Sequence, residues 1–237
     1  ELTGTQADLY ETIRLGMEKT VREALQTKGL AKSQITILDA LLKLRQVCCH
    51  PQLVPLDAAK KVKTSAKLDQ LMALLPEMLA EGRRILLFSQ FTSMLTLIEA
   101  ELKKRNLPWV KLTGQSQKRD AIIEQFTSGQ VPLFLISLKA GGVGLNLPQA
   151  DTVIHYDPWW NPAVENQATD RAHRIGQTQS VWVIKLVAQG TIEERILALQ
   201  ERKAQLAGSL YSDSAARKEP LFTEGDLAEL LQPLSLS

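Results

Sequence analysis

Apolar residues recur at intervals of three and four through 9-LYETIRLGMEKTVREALQ-26 and 35-ITILDALLKLRQVCCH-50. That is the spacing of amphipathic helices and predicts an all-helical layer from residue 5 to about 50. A looser, lysine-bearing stretch, 51-PQLVPLDAAKKVKTSAK-67, separates it from a further helix, 68-LDQLMALLPEMLAEG-82. From Arg84 the pattern changes. Short β-branched or apolar runs (RILLFS, PWVKLTG, PLFLISL, DTVIHYD, SVWVIKLVA) alternate with helical segments such as SMLTLIEAELKKR and QKRDAIIEQFTSG. Strands alternating with helices imply a parallel sheet covered on both faces, and right-handed crossovers make it an open α/β sheet.

A last long helix, 191-TIEERILALQERKAQLAGSL-210, takes Thr191 as its N-cap and carries Glu193 and Glu194 in its first turn. A linker, 212-SDSAARKEP-220, leads to a short capped helix, 223-TEGDLAELL-231. The expected division is a helical segment over 1–67, the α/β sheet over 68–190, and a bracing helix, linker and terminal helix over 191–237.

Composition narrows this little. The hydrophobic fraction is that of an ordinary globular chain, able to bury a full core. The chain begins at Glu1 and shows neither a signal-peptide pattern nor an apolar run long enough for a bilayer; the expectation is a soluble intracellular piece of something longer, with no membrane partner. The adjacent Cys48 and Cys49 suit neither a structural disulfide nor a chelating zinc pair, which points to a reducing compartment, no disulfide partner and no resident metal. A net charge of only +2 confines any nucleic-acid contact to local patches. The basic clusters 60-KKVK-63, Arg83-Arg84, 103-KKR-105 and 118-KR-119 read equally as solvated faces.

An open α/β sheet keeps its ligand sites in the loops at the strands' carboxyl ends. Four of those loops are unusual: 89-SQFTS-93, 113-TGQS-116, 137-SLKAGGVGLN-146 and 157-DPWWNP-162. The glycine-rich one could cradle a phosphate or simply turn between strands; it lacks the lysine of a P-loop and the third glycine of a dinucleotide loop. After the last, Asn161 can cap a helix over roughly 162–175, with Pro162 at its first position and Gly176 closing it. Val164, Ala168, Ala172 and Ile175 form a small-residue stripe for close packing. Gln167, Arg171 and Arg174 form a second stripe about 100° around the axis. Two arginines one turn apart suit a shared anion, and a phosphate chain fits the planar guanidinium donors; alternatively Arg171 pairs with Glu165 or Asp170 on the surface.

Together these loops resemble the second, C-terminal RecA-like lobe of SWI/SNF-type ATPases, in helicase superfamily two. The resemblance runs from 2-LTGTQADLYE-11 and 44-LRQVCCHP-51 through 87-LFSQF-91, 112-LTGQSQKRDAIIEQF-126 and 137-SLKAGGVGLNL-147 to 153-VIHYDPWWNP-162, 167-QATDRAHRIGQ-177 and 190-GTIEERILALQ-200. It implies a RecA-like open parallel sheet, an N-terminal helical subdomain and C-terminal helices. It implies that Arg171 and Arg174 act as arginine fingers on ATP with Mg²⁺, with Gln167, Asp170, Gly144 and Asn146 on the nucleotide side. It places Ser89, Gln90, Thr113, Gly114, Ser137 and Lys139 on the backbone of double-stranded DNA. Trp159 and Trp160 lie near the DNA and the lobe interface in that family, or else pack in the core and over the helix start. The family commonly has Asn where Cys49 stands, and an acidic residue before glycine where Thr113 stands.

The chain holds neither a G-x-x-x-x-G-K-[ST] loop nor a D-E-x-H box, so the resemblance implies half an ATPase, inactive without the first lobe of the same polypeptide. A non-catalytic DNA- or protein-binding module is the alternative. A nicotinamide-binding domain is disfavoured, because the glycine loop comes late and opens no long helix. The compact linkers and the lack of a nuclear-type basic block point to the bacterial cytoplasm, or to the nucleus in a eukaryote.

Overall fold

Five-residue runs without a charge, such as ILLFS and LFLIS, suit the middle of a parallel sheet covered on both faces, where a strand is buried along its whole length. In the computed structural model, which describes residues 1–138, 145–159, 169–170, 180–209 and 223–235, that is where they lie. Strands β1 (Ile85–Ser89), β2 (Val110–Leu112), β3 (Leu133–Ser137), β4 (Thr152–His155) and β5 (Trp182–Lys185) form one sheet in the order β2-β3-β1-β4-β5, every pair parallel. All residues of β1, β3 and β4 are buried.

The edge strand β5 differs from what its β-branched and aromatic residues suggest. Trp182 is 60% exposed and Val183 42%. An edge strand has one neighbour, and here the Trp182 ring is covered by the Arg83 guanidinium, 5.0 Å from its centroid.

Among the described residues two crossovers are helical. Helix α5 (Thr92–Lys104) buries Met94, Leu95, Ile98 and Leu102, spaced one, three and four residues apart, as its periodicity predicts. Helix α6 (Arg119–Thr127) anchors through Phe126, whose ring meets Phe134 of β3 with centroids 5.4 Å apart. These belong to one core cluster that also holds Leu86, Phe88, Ile136, Leu147 and Val153.

The chain divides into two compact units, residues 67–187 and a helical unit assembled from both ends, 1–66 with 188–237. The helical unit contains α1 (Gly4–Lys32), α2 (Gln34–Cys49), a 3₁₀ turn at Pro51–Leu53, α3 (Asp57–Lys60), α7 (Ile192–Ser209) and α8 (Glu224–Leu230); α4 (Ala66–Ala80) leads into the sheet. Helix α1 is longer than its apolar pattern suggests, and it is broken at Gly29, whose φ of 75° and ψ of 172° are not helical.

Thr191 does start α7. Its hydroxyl accepts from Glu193 N at 3.1 Å and donates to Ala188 O at 2.6 Å, while the Glu193 carboxylate folds back to accept from Ala188 N at 2.8 Å. At α8 Thr223 and Asp226 exchange side-chain and backbone hydrogen bonds in a full capping box. Beyond α8 the backbone is fastened by arginines. Arg14 donates to Leu231 O at 3.2 Å, and Arg195 to Gln232 O and Pro233 O, each at 2.8 Å. Glu11 accepts from Leu234 N at 2.6 Å. Ser235 N reaches Gly190 O at 3.0 Å, close enough that a Cβ on Gly190 would stand 2.1 Å from Ser235 O.

Candidate functional site

Because every strand runs the same way, all five carboxyl ends open on one edge of the sheet. The register sets residues level there. Ser89 pairs with Ser137, and Leu112 with Ile136, so Thr113, Ser137 and Ser89 stand side by side across β2, β3 and β1. With strands about 4.8 Å apart, they form a row roughly 10 Å long. Phe88 pairs with His155, which puts the end of β4 directly beside Ser89.

Ser89 and Ser137 are buried, at 0% and 3% exposure. The Ser89 hydroxyl donates to Asp157 Oδ1 at 2.5 Å and accepts from Phe91 N at 3.1 Å, and Ser89 O takes the amide of Leu138 at 3.1 Å. The second oxygen of Asp157 accepts from Gln90 N at 3.2 Å. Asp157 is itself only 2% exposed. A carboxylate so buried is tolerable only when its oxygens are hydrogen-bonded, and here they are used to fix the backbone of residues 89–91. Any influence of Ser89 on a ligand therefore runs through the loop it holds. Gln90 is half-buried, and its side-chain nitrogen has no hydrogen-bond partner among the described residues.

After β2 the chain makes a tight turn. Ser116 N donates to Thr113 O at 3.1 Å, and the Ser116 hydroxyl accepts from Thr113 N at 2.8 Å. Gly114 sits exposed at its tip, without a positive φ, and a Cβ there would meet nothing within 4 Å. Neither space nor backbone conformation within the chain demands glycine at that point. What a glycine leaves open there is room for an outside group to approach the main chain.

On the other flank of the row, His155 is buried, stacks on Phe88 with ring centroids 5.7 Å apart, and places Nε2 3.1 Å from the Thr169 hydroxyl. Thr169 and Asp170 are helical and Asp170 is exposed. Asn146 is exposed between buried Leu145 and Leu147. Trp159 is half-buried and packs against the core cluster. Gly144, Lys139, Trp160, Gln167, Arg171 and Arg174 lie outside the described residues.

Three of the basic clusters meet acids locally. Lys60 pairs with Asp57, Arg83 with Glu81, and Lys104 and Arg105 with Glu101, at 2.6 to 3.6 Å. The first and last of these behave as solvated faces, whereas Arg83 lies over the Trp182 ring and Arg84 over that of Phe126. Lys118, beside the 113–116 turn, adopts a left-handed conformation at φ 55°. Among the described residues no group of three or more His, Cys, Asp or Glu side chains could hold a metal, and no helix is long and apolar enough to cross a membrane.

The residue that reasoning from spacing alone passes over is Asp157. Its loop stands out in the sequence, but the tryptophans and the arginine helix draw the attention. The available signal is its place just after a strand-end apolar run, where an acid has reason to sit only if neighbouring loops supply donors.

Residues 66–176 match the helicase conserved C-terminal domain. The chain is 38% identical over 241 residues to YwqA of Bacillus subtilis, provisionally named an ATP-dependent helicase/translocase, covering 100% of this chain and 25% of that protein. It is 40% identical over 163 residues to the chromatin-remodeling ATPase INO80 of Mus musculus, covering 68% of this chain and 10% of that protein. The C-terminal domain of the Sulfolobus solfataricus SWI2/SNF2 ATPase superposes with a TM-score of 0.72 at 32% identity, covering 99% of this chain and 96% of that one. The core of the same ATPase in complex with dsDNA gives 0.74 at 33% identity, covering 100% and 49%. The chain thus spans a quarter or less of the curated relatives it matches.

Proposed function

We propose, for a chain that belongs to the SWI2/SNF2 ATPases as their RecA-like C-terminal lobe, that it is the second motor lobe of an ATP-dependent translocase on double-stranded DNA. The observation that carries this reading is the row Thr113, Ser137, Ser89 across three adjacent strand ends. The half-buried Thr113, an open glycine tip and the backbone amides of the loop that Ser89 holds suit a sugar-phosphate strand, and they read its shape without reading its sequence. The similar Sulfolobus ATPase core, solved in complex with dsDNA, supports the same ligand.

Arg171 and Arg174 serve as arginine fingers, with Gln167, Asp170, Gly144 and Asn146 near the nucleotide. Guanidinium groups keep their charge and offer planar paired donors to the oxygens of a transferring phosphoryl group. ATP and its Mg²⁺ are held mainly by the other lobe, which supplies the P-loop and D-E-x-H box that this sequence lacks. Closing the two lobes brings the fingers to the γ-phosphate; reopening after hydrolysis lets the row release and take the strand again. By itself the chain does not hydrolyse ATP.

The test uses the full-length protein with both lobes. Arg171→Ala and Arg174→Ala are each expected to lower DNA-stimulated ATP hydrolysis by about 10³- to 10⁵-fold, the usual worth of an arginine finger. Hydrolysis at the unsubstituted rate in both variants would sink the assignment.

A further inference from the structure

The end of β4 touches both halves of the proposed site. His155 reaches Thr169 at 3.1 Å, two positions before Arg171, and Asp157 takes the Ser89 hydroxyl and the Gln90 amide. The two contacts leave from positions two residues apart on one chain segment. That segment is braced against β1 by the Phe88–His155 stack and by Tyr156 N donating to Phe88 O at 2.9 Å. A shift of β4 against β1 therefore cannot leave residues 89–91 where they are, because the Asp157 carboxylate links their hydroxyl and amide to β4 directly.

We infer that Asp157 is a positioning residue that holds the DNA-side loop 89–91 against the end of β4, so that the grip of this loop on the DNA backbone depends on the Asp157 carboxylate. This rests on the function proposed above. Among the described residues two donors face Asp157, a hydroxyl and an amide N–H, and a carboxylate offers an acceptor to each. An asparagine of the same shape offers one acceptor and turns its NH₂ towards the other donor. Asp157→Asn thus removes one arm of the link while filling the same space.

The experiment measures ATP hydrolysis by the full-length protein against the concentration of a mixed-sequence DNA duplex. Asp157→Asn is expected to raise the half-saturating DNA concentration about ten-fold, the equivalent of one such hydrogen bond, while turnover at saturating DNA stays within about three-fold. Ser89→Ala is expected to shift it in the same direction. The double variant should be no worse than the more affected single one, because both changes cut the same link. Thermal midpoints above the assay temperature show that every variant compared is folded; if Asp157→Asn does not fold, Ser89→Ala decides alone.

An unchanged half-saturating concentration, shifts that multiply in the double variant, or a loss confined to turnover would each overturn the inference. The two readings fail separately. Normal hydrolysis by the arginine variants removes the motor-lobe assignment, whereas crippled arginine variants beside a normal Asp157→Asn remove only the positioning role of Asp157.

Discussion

Tyr10 shows what one polar atom can carry. Its side chain is fully buried, and its phenol oxygen accepts from the amide of Ile192 at 2.8 Å, joining α1 to the first turn of α7. Burial pushes the Tyr10 phenol well above its usual range, with Cys48 adding to the rise and the Ile192 amide and Arg195 opposing it, so the group stays neutral at any ordinary pH. Tyr10→Phe keeps the ring and strands the amide. It is expected to cost about 1–3 kcal/mol, the penalty of a buried unpaired donor, seen as a lower urea midpoint at unchanged slope. Such pairings explain why single residues are only partly legible. The sequence shows that Ser89 ends a strand, a place where ligands bind, yet its hydroxyl points to a partner 68 positions away. No local pattern announces that, and Asp157 is hidden in the sequence for the same reason. Thr191 and Thr223 are readable as caps because a cap is completed within three residues.

Among the elements, those whose partners are near in sequence follow their periodicity: α5 buries the face its spacing predicts, and β1, β3 and β4 are apolar throughout because both sheet faces are covered. Strand β5 has the same kind of residues but sits at the edge, a position that depends on strand order and not on its own sequence. The segment after α8 responds to pH. Burial raises the Glu11 carboxyl, but the hydrogen bonds from Arg14 and Leu234, with the charges of Arg14 and Arg195, outweigh this and hold it below the usual carboxylate range. A depressed pKa in the folded state contributes stability that is present above the unfolded value and is lost as pH falls through the folded one. The attachment of residues 231–234 to α1 should therefore weaken on the acid side, below about pH 4.3. Thermal midpoints of the wild type should fall towards those of Glu11→Gln as pH is lowered from about 5 to 3; parallel curves would contradict this. The expected size is small, since Glu11 is partly exposed and solvent screens the pair.

For the whole molecule, the parallel sheet is legible because alternating elements leave few topologies. The assembly of one unit from both ends is not, because it depends on bonds such as Arg14 to Leu231 and Glu11 to Leu234, 217 and 223 positions apart. Those bonds also impose an order on synthesis. A ribosome adding about 5–20 residues per second releases the sheet segment seconds before the residues that α1 needs. The sheet, residues 67–187, is contiguous and can close on itself early; the unit holding residues 1–66 must wait for residues 188–235. Arrested nascent chains that expose residues to about 200 should thus resist protease across the sheet while α1 is still cut, and equal protection of both would contradict this order. Of the elements in these two units, α1 emerges before the sheet yet is secured after it, and until then it is the part of this stretch that a chaperone would have to hold.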